Sequence, residues 1–574
     1  MRFFLLSSIV LCISIPGWSA DLIYKEDMIG LLVKEVPKIL ENYDSKTGRF
    51  GTGIWICRDQ HDIYPLAVAY STKHEDNPYF KDPQILEAIV RGGDALIEDA
   101  DEDGKWIFRK KDGSEWGMIW MPWTYSRWVR AFDLVKEDMP QEARDRWEKA
   151  LTLGYSGIKE HALNSVHNIP AHHAMGLYIA GKALNKPEWM EFASDFLMKV
   201  VEAQNPAGYW SENIGPVVAY NFVYADALGT YYAVSGDERV LPALERCAEY
   251  HLHFTYPDGT TVETIDERNP YHDTIRTGNV GFTFTPEGRA YLKRQWDIYG
   301  REKLGSDQYA SLILYGEEGP IAQGSEDLGA TYILNDGESD KALTYQQGPW
   351  FICLSAFTAP VPQNRWIQDR QNLVSVFHEQ TGLLLGGGNT KLQPAWSNFT
   401  VGDESLLSHT PGDEDPDFLP KGDLYHVPSS ATLVTEPPIG LDLEYGPADC
   451  SIRLEIVDDS TLDILLGMEE ESALRVNAHL TFLLDLEEPL KLGTGEVINL
   501  NEDKGEWTDL GGSIVYRGAQ LTLPKGSSLI WPTLPHNPYR KDGHANPEEG
   551  RVVVRVPLQV DSPSEKIRVE ILED

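Results

Sequence analysis

Asn164, His167, Asn168, His172 and His173 crowd one short stretch of the chain, and Tyr220 follows Asn168 after 52 positions. Trp210-Ser211-Glu212-Asn213 and Gly215-Pro216 lie between them. An amide can hold and neutralise a carboxylate. An imidazole or phenol can take a proton, and a phenol can return one to a leaving oxygen. Elimination from a uronic acid needs those three acts: the C5 carboxylate neutralised, the C5 proton removed and the departing O4 protonated. Asn168 stands before Ile169-Pro170, which reads as an N-cap followed by an early-turn proline. A helix N-terminus there would favour a bound anion. His172 and Tyr220 are the candidate bases.

A second polar segment runs from Glu263 to His272 and on to Arg276. Arg268 or Arg276 has the fork geometry to clamp a carboxylate, and Tyr271 with His272 offers another proton donor. Aromatic residues beside hydrogen-bonding groups suit the apolar faces of sugar rings. Trp116 and Trp120 are read as such platforms, Trp210 as a further contact, and Arg58 and Gln60 as polar partners. Trp128 and Tyr224 read as packing residues. Asp99-Ala-Asp101-Glu-Asp103-Gly104 resembles the start of an EF-hand loop, but its twelfth position is Lys110 where a glutamate is needed. His172-His173 with Glu212 has no zinc-ligand spacing. The expected metal set is therefore none, and the elimination needs no cofactor.

The chain has 574 residues and a net charge of −39, with no basic run to track phosphates, so nucleic acid is not the expected partner. An acidic polysaccharide is, and its capture requires a local basic cleft inside an acidic shell. Arg2, the apolar run Phe3 to Ile15 and the small residues Gly17, Ser19 and Ala20 read as a secretory signal over residues 1–20, which predicts a secreted or periplasmic protein without membrane insertion. Cys57, Cys247, Cys353 and Cys450 are too few and too scattered for a disulfide scaffold.

Residues 21–340 carry helical periodicity, as in Leu31, Leu32, Val36 and Ile39 or Phe192, Phe196, Leu197 and Val200. This predicts about ten to twelve helices without intervening strands. Hairpins closing into a toroid would gather the aromatic and polar loops around one cleft, whereas a superhelical stack would spread them. Residues 341–574 switch to strand patterning, as in Val374 to His378, Ser451 to Ile456 and Arg551 to Val560, and predict an antiparallel β-sandwich. The linker is expected between Gly329 and Pro349, with an acidic, Pro-rich surface loop at Asp413 to Pro420.

In plan and in motif spacing the chain resembles the toroidal polysaccharide lyases, a group that includes heparinase II/III-like, oligoalginate and chondroitin AC-type enzymes. The resemblance covers nearly all of residues 21–574. It implies an N-terminal (α/α) toroid followed by a C-terminal antiparallel β-sandwich, with Asn168 and Tyr220 as the catalytic pair. It further implies a role for Arg276, 56 residues after Tyr220, and for His378 of the sandwich, 158 residues after it. Where chondroitin AC-type lyases carry a histidine shortly before the tyrosine, this chain has Ser211-Glu212-Asn213. The expected activity is β-elimination on a uronic-acid glycan. The alternative is an inverting glycoside hydrolase on the same scaffold, with two of Glu212, Glu263, Asp266 and Glu267 as its carboxylates. A non-catalytic glycan-binding protein is the third reading.

Overall fold

The computed structural model describes residues 21–573 except 52–55, 110–114, 269–273, 324–328, 362–365, 407–422, 470–473, 484, 501–503, 539 and 541. The expected signal segment, Lys110, Tyr271, His272 and the acidic loop lie outside the described residues. The helices are α1 (Lys25–Glu41), α2 (Ile56–Asp59), α3 (Ile63–Ser71), α4 (Pro83–Asp99), α5 (Pro122–Val135), α6 (Gln141–His161), α7 (Asn168–Ala183), α8 (Pro187–Glu202), α9 (Val218–Ser235), α10 (Leu241–His253), α11 (Pro286–Tyr299) and α12 (Ser306–Tyr315). Local signals set several of their starts. Asp82 caps α4 through the Gln84 amide, and Thr285 caps α11 through the Gly288 amide, each ahead of a proline.

These helices form two concentric layers. α3, α5, α7 and α9 pack side by side in that order, and α12 closes the ring, meeting α3 directly and α9 directly and through the short 3-10 helix Val280–Thr283. α1, α4, α6, α8, α10 and α11 pack around the outside. The superhelical alternative is thereby excluded. Inner helices have neighbours on every side and read as apolar all round: α3 buries every residue from Ile63 to Tyr70. Outer helices are amphipathic, as α1 is, with Met28, Leu32, Val36 and Ile39 on its buried face. Closure depends on two glycines. A Cβ on Gly281 would stand 2.2 Å from the Ala225 carbonyl oxygen, and one on Gly229 would stand 2.4 Å from the Gly281 Cα.

Two antiparallel sheets follow. Among the described residues one has eleven strands, including Thr331–Asn335, Asp340–Gln347, Trp350–Ser355, Val374–His378 and Arg551–Leu558; the other has nine, including Ala448–Asp458, Thr461–Met468 and Ser564–Ile571. Leu343, Trp350, Ile352, Leu354 and Val376 of the first pack on Leu441, Ile452, Ile464 and Val569 of the second. The opposite face of the first sheet is also buried. Phe351, Cys353, Phe377 and Leu383 pack on Tyr209, Tyr250, Phe254, Tyr256, Val262 and Ile265 of the toroid. A strand covered on both sides reads as an unbroken apolar run, which explains Trp350-Phe-Ile-Cys-Leu.

Two expectations change. Thr331–Asn335 already pairs with Asp340–Gln347, so the segment expected to be a linker is an edge hairpin of the sandwich and the boundary falls before residue 331. Short strands do interrupt the helical half: Trp106–Arg109 pairs with Glu115–Ile119, just ahead of α5. The scattered cysteines agree with expectation: Cys247, Cys353 and Cys450 are buried free thiols.

The close approach at Gly281 predicts that Gly281→Ala lowers stability by about 1–3 kcal/mol through overpacking. Gly30→Ala, on α1 where nothing lies within 4 Å of the added carbon, should raise it by about 1 kcal/mol at most. Urea unfolding followed by helical circular dichroism checks both. Equal midpoints for the two variants would contradict the packing argument.

Candidate active site

The first turns of the inner helices share one end of the ring. His61, just before α3, is hydrogen bonded through Nε2 to Thr124 Oγ1 at the start of α5 (2.9 Å). Arg127 of α5 bonds Asp307 at the start of α12. His167, just before α7, and Glu212, ahead of α9, interact electrostatically. Five helix N-termini, those of α3, α5, α7, α9 and α12, therefore converge where the aromatic and polar connections also lie.

α7 starts one residue earlier than expected. His167 holds the cap position in extended geometry, and Asn168 is the first helical residue, 8% exposed. Tyr220 is in the first turn of α9. The Arg268 guanidinium carbon lies 5.6 Å from the centre of the Tyr220 ring. Glu212 is half-buried, and its Oε2 is shielded from solvent with no hydrogen-bond partner among the described residues. Burial raises its carboxyl pKa above the ordinary range, against the opposing pull of His167 and Arg268.

The segment 263–268 positions this group. Asp266 Oδ2 accepts from the Val218 amide at the start of α9 (2.9 Å), and Oδ1 accepts from the Arg268 amide (2.7 Å). Glu267 accepts from the Asn213 and Ile214 amides (3.1 and 2.8 Å) and from Asn213 Nδ2 (3.3 Å). Glu263 accepts from the Tyr256 hydroxyl (3.0 Å) and from the Gly387 amide of the sandwich (2.8 Å). All three carboxylates are at most 2% exposed. They are structural acceptors, which withdraws them from the hydrolase alternative and leaves only Glu212 of its four.

Other expectations shift. Arg276 does not face Tyr220: its guanidinium lies over Phe222 at 5.9 Å, and burial lowers its pKa. His172 is not a free base. Its Nε2 shares a 2.9 Å hydrogen bond with Ser126 Oγ, its Nδ1 lies 3.7 Å from Asp226 Oδ2, and its ring stacks on Trp123 at 5.8 Å. Burial, then Arg130 and Arg127, hold its pKa well below the usual imidazole range, so it is neutral. Ser126, His172 and Asp226 follow the order of a nucleophilic triad, yet Ser126 is 1% exposed and presents no nucleophile.

Trp116 is an open platform, 66% exposed and edge-on to Phe108 at 5.3 Å. Trp120 is occupied: its indole N–H donates to the Asp103 carbonyl, His161 stacks on it at 5.9 Å, and the Lys105 ammonium lies 4.4 Å from its ring. Trp210 is core, stacked on Tyr224 at 4.7 Å with its N–H given to the Val200 carbonyl. Gln60 is fully buried and spends its amide on Phe50 N, Gly48 O and Gly92 O. His378 lies inside the sandwich against Trp350, its Nε2 3.0 Å from the Asp459 carbonyl. Buried His and Trp in a core look the same in sequence as ligand-facing ones; only their partners distinguish them.

Arg58 is exposed and, with Asn42, His61, Asp62 and Asp307, lines a cavity of about 390 Å³ at the same end of the ring. Asp62 is pushed up to about 6 by burial and by Asp307 and Asp59. Sequence reasoning missed Trp123, His61, Asp62 and Asp307. The one signal available was their position, each within two residues of a helix start.

If the Glu267 carboxylate pins the 211–216 connection, Glu267→Ala leaves two amides without acceptors, at a cost of about 1–3 kcal/mol. Hydrogen exchange should then accelerate at Asn213 and Ile214 while the sandwich strands keep their protection. Unchanged exchange there would show that the connection is held by something else.

No protein-family model matches the chain, and no curated protein is significantly similar to it. Solved structures do match. A mutant chondroitin AC lyase of Streptomyces coelicolor A3 is 11% identical, with 97% of this chain and 81% of that chain covered, at a TM-score of 0.51. A heparinase III is 11% identical, with 96% and 84% covered, at 0.48. The heparan sulfate lyase HepC of Pedobacter heparinus, as a mutant, is 10% identical, with 96% and 89% covered, at 0.47. At such identities the likeness is one of fold: this chain has the α-toroid and β-sandwich architecture of a polysaccharide lyase.

Proposed function

We propose that this protein is an exported polysaccharide lyase that cleaves a uronic-acid glycan by β-elimination and leaves an unsaturated uronate end. The observation that carries the reading is the Arg268 guanidinium against the Tyr220 ring in the first turn of α9. A cation there favours negative charge on the phenolic oxygen and is also available to a substrate carboxylate. Asn168, opening the neighbouring inner helix, supplies an amide beside free helix N–H groups. In this reading Asn168 and Arg268 neutralise the C5 carboxylate, which acidifies the C5 proton, and Tyr220 protonates O4 as the C4–O4 bond breaks. The exposed Trp116 and Arg58 provide sugar contacts away from the reacting bond. The acidic surface elsewhere repels the polyanion, so substrate enters where Arg268 stands beside the helix N-termini.

Incubation with a panel of uronans should raise the ultraviolet absorbance of the C4–C5 double bond. Tyr220→Phe should lower kcat by about 10²–10⁴-fold, and Arg268→Ala should lower kcat/KM. Reducing ends released without that absorbance would replace the reading with hydrolysis.

A further inference from the structure

We infer that Glu212 is the catalytic base of this site, standing beside Tyr220 as the acid. The inference rests on the lyase reading and assigns the one role it leaves open. Three observations carry it. The carboxylate belongs to a connection whose next two amides are both clamped by the buried Glu267, so Glu212 has a fixed position at the cleft. Ser211 also bridges Pro216, and the Glu212 amide donates to the Gly215 carbonyl at 3.4 Å, closing the turn that presents the side chain. One carboxylate oxygen is shielded from water yet has no partner among the described residues, an arrangement that costs free energy unless a ligand uses it.

The charged and titratable groups that act with Glu212 are His167 ahead of α7, Arg268 of the 263–268 segment and Tyr224 of α9, and Tyr220 shares Arg268 and Tyr224 with it. Among the described residues, none of these is a second carboxylate. His172, the other expected base, is bonded to Ser126 and lies under Trp123.

The Glu212 carboxylate takes the C5 proton, and the C5–H electron pair becomes the C4–C5 double bond. The C4–O4 bond breaks, and O4 leaves with the proton of the Tyr220 hydroxyl. Glu212 then returns its proton to the tyrosinate through water, which restores both groups. Burial raises the carboxyl pKa, and a base works only when ionised. Activity should therefore fall as pH drops through a value above the ordinary carboxylate range.

The test compares wild type, Glu212→Gln, Glu212→His and Tyr220→Phe on the best uronan of the panel, with kcat and KM measured across pH. Glu212→Gln should lose about 10²–10³-fold in kcat with KM changed less than about threefold. Glu212→His should recover part of that loss, with the acidic limb moved towards the imidazole range of about 6.5. Wild-type kcat in Glu212→Gln, or a loss confined to KM, would overturn the assignment and leave Tyr220 as both base and acid. Absence of unsaturated product from the wild type would instead refute the lyase reading itself.

Discussion

Three buried carboxylates within one turn of chain, Glu263, Asp266 and Glu267, hold the candidate site and the two domains in register. A carboxylate taken out of water costs several kcal/mol unless its oxygens are occupied. Here each is committed: Glu263 to Tyr256 and the sandwich amide of Gly387, Asp266 to the first amide of α9 and to Arg268, Glu267 to the connection carrying Glu212. The fully buried Arg370 donates to the Ile265 carbonyl from the sandwich side and offsets part of the charge. Any slippage of the segment would strand a bare charge in the interior, so the satisfied arrangement is strongly favoured over its neighbours. Tyr220, Arg268 and Glu212 inherit their positions from it.

The ring supplies the rest of the site. Because the inner helices begin at one end, their unpaired N–H groups and the positive ends of their dipoles face the same cleft. That answers the difficulty raised by a net charge of −39: a local positive field needs only a few well-placed groups, and Arg268 stands over Tyr220 where the backbone adds to it. Beneath the cleft, Arg130 lies 4.3 Å over the Tyr64 ring and bonds Ser311, and His172 bonds Ser126. These buried polar groups fill the axis of the ring and support Trp123 from below.

Much of the architecture was legible. The change from helical to strand periodicity and the turn glycines depend on residues close in sequence, whereas the one cap expected, Asn168, gives way to His167. The linker was misplaced because Thr331–Asn335 is short and half-exposed and becomes a strand only through its partner. The site was legible less evenly. Asn168 and Tyr220 lie in the first turns of α7 and α9, Arg268 lies over Tyr220, and Trp116 and Arg58 are exposed, whereas Gln60, Trp120, Trp210 and His378 are spent on structure. Their types and spacings gave no warning, since an indole N–H or an imidazole serves a carbonyl as readily as a ligand.

By itself the sequence determined the two-part architecture and the residue types available for acid–base chemistry, because periodicity and side-chain chemistry are local properties. Tertiary structure alone decided which arginine meets Tyr220, which carboxylates are buried as acceptors, and that one Glu212 oxygen has no partner among the described residues. Those outcomes depend on contacts between segments some 50 to 120 residues apart, such as Asn213 to Glu267 and Glu263 to Gly387, and on whether burial leaves a polar atom a partner, which no single segment specifies.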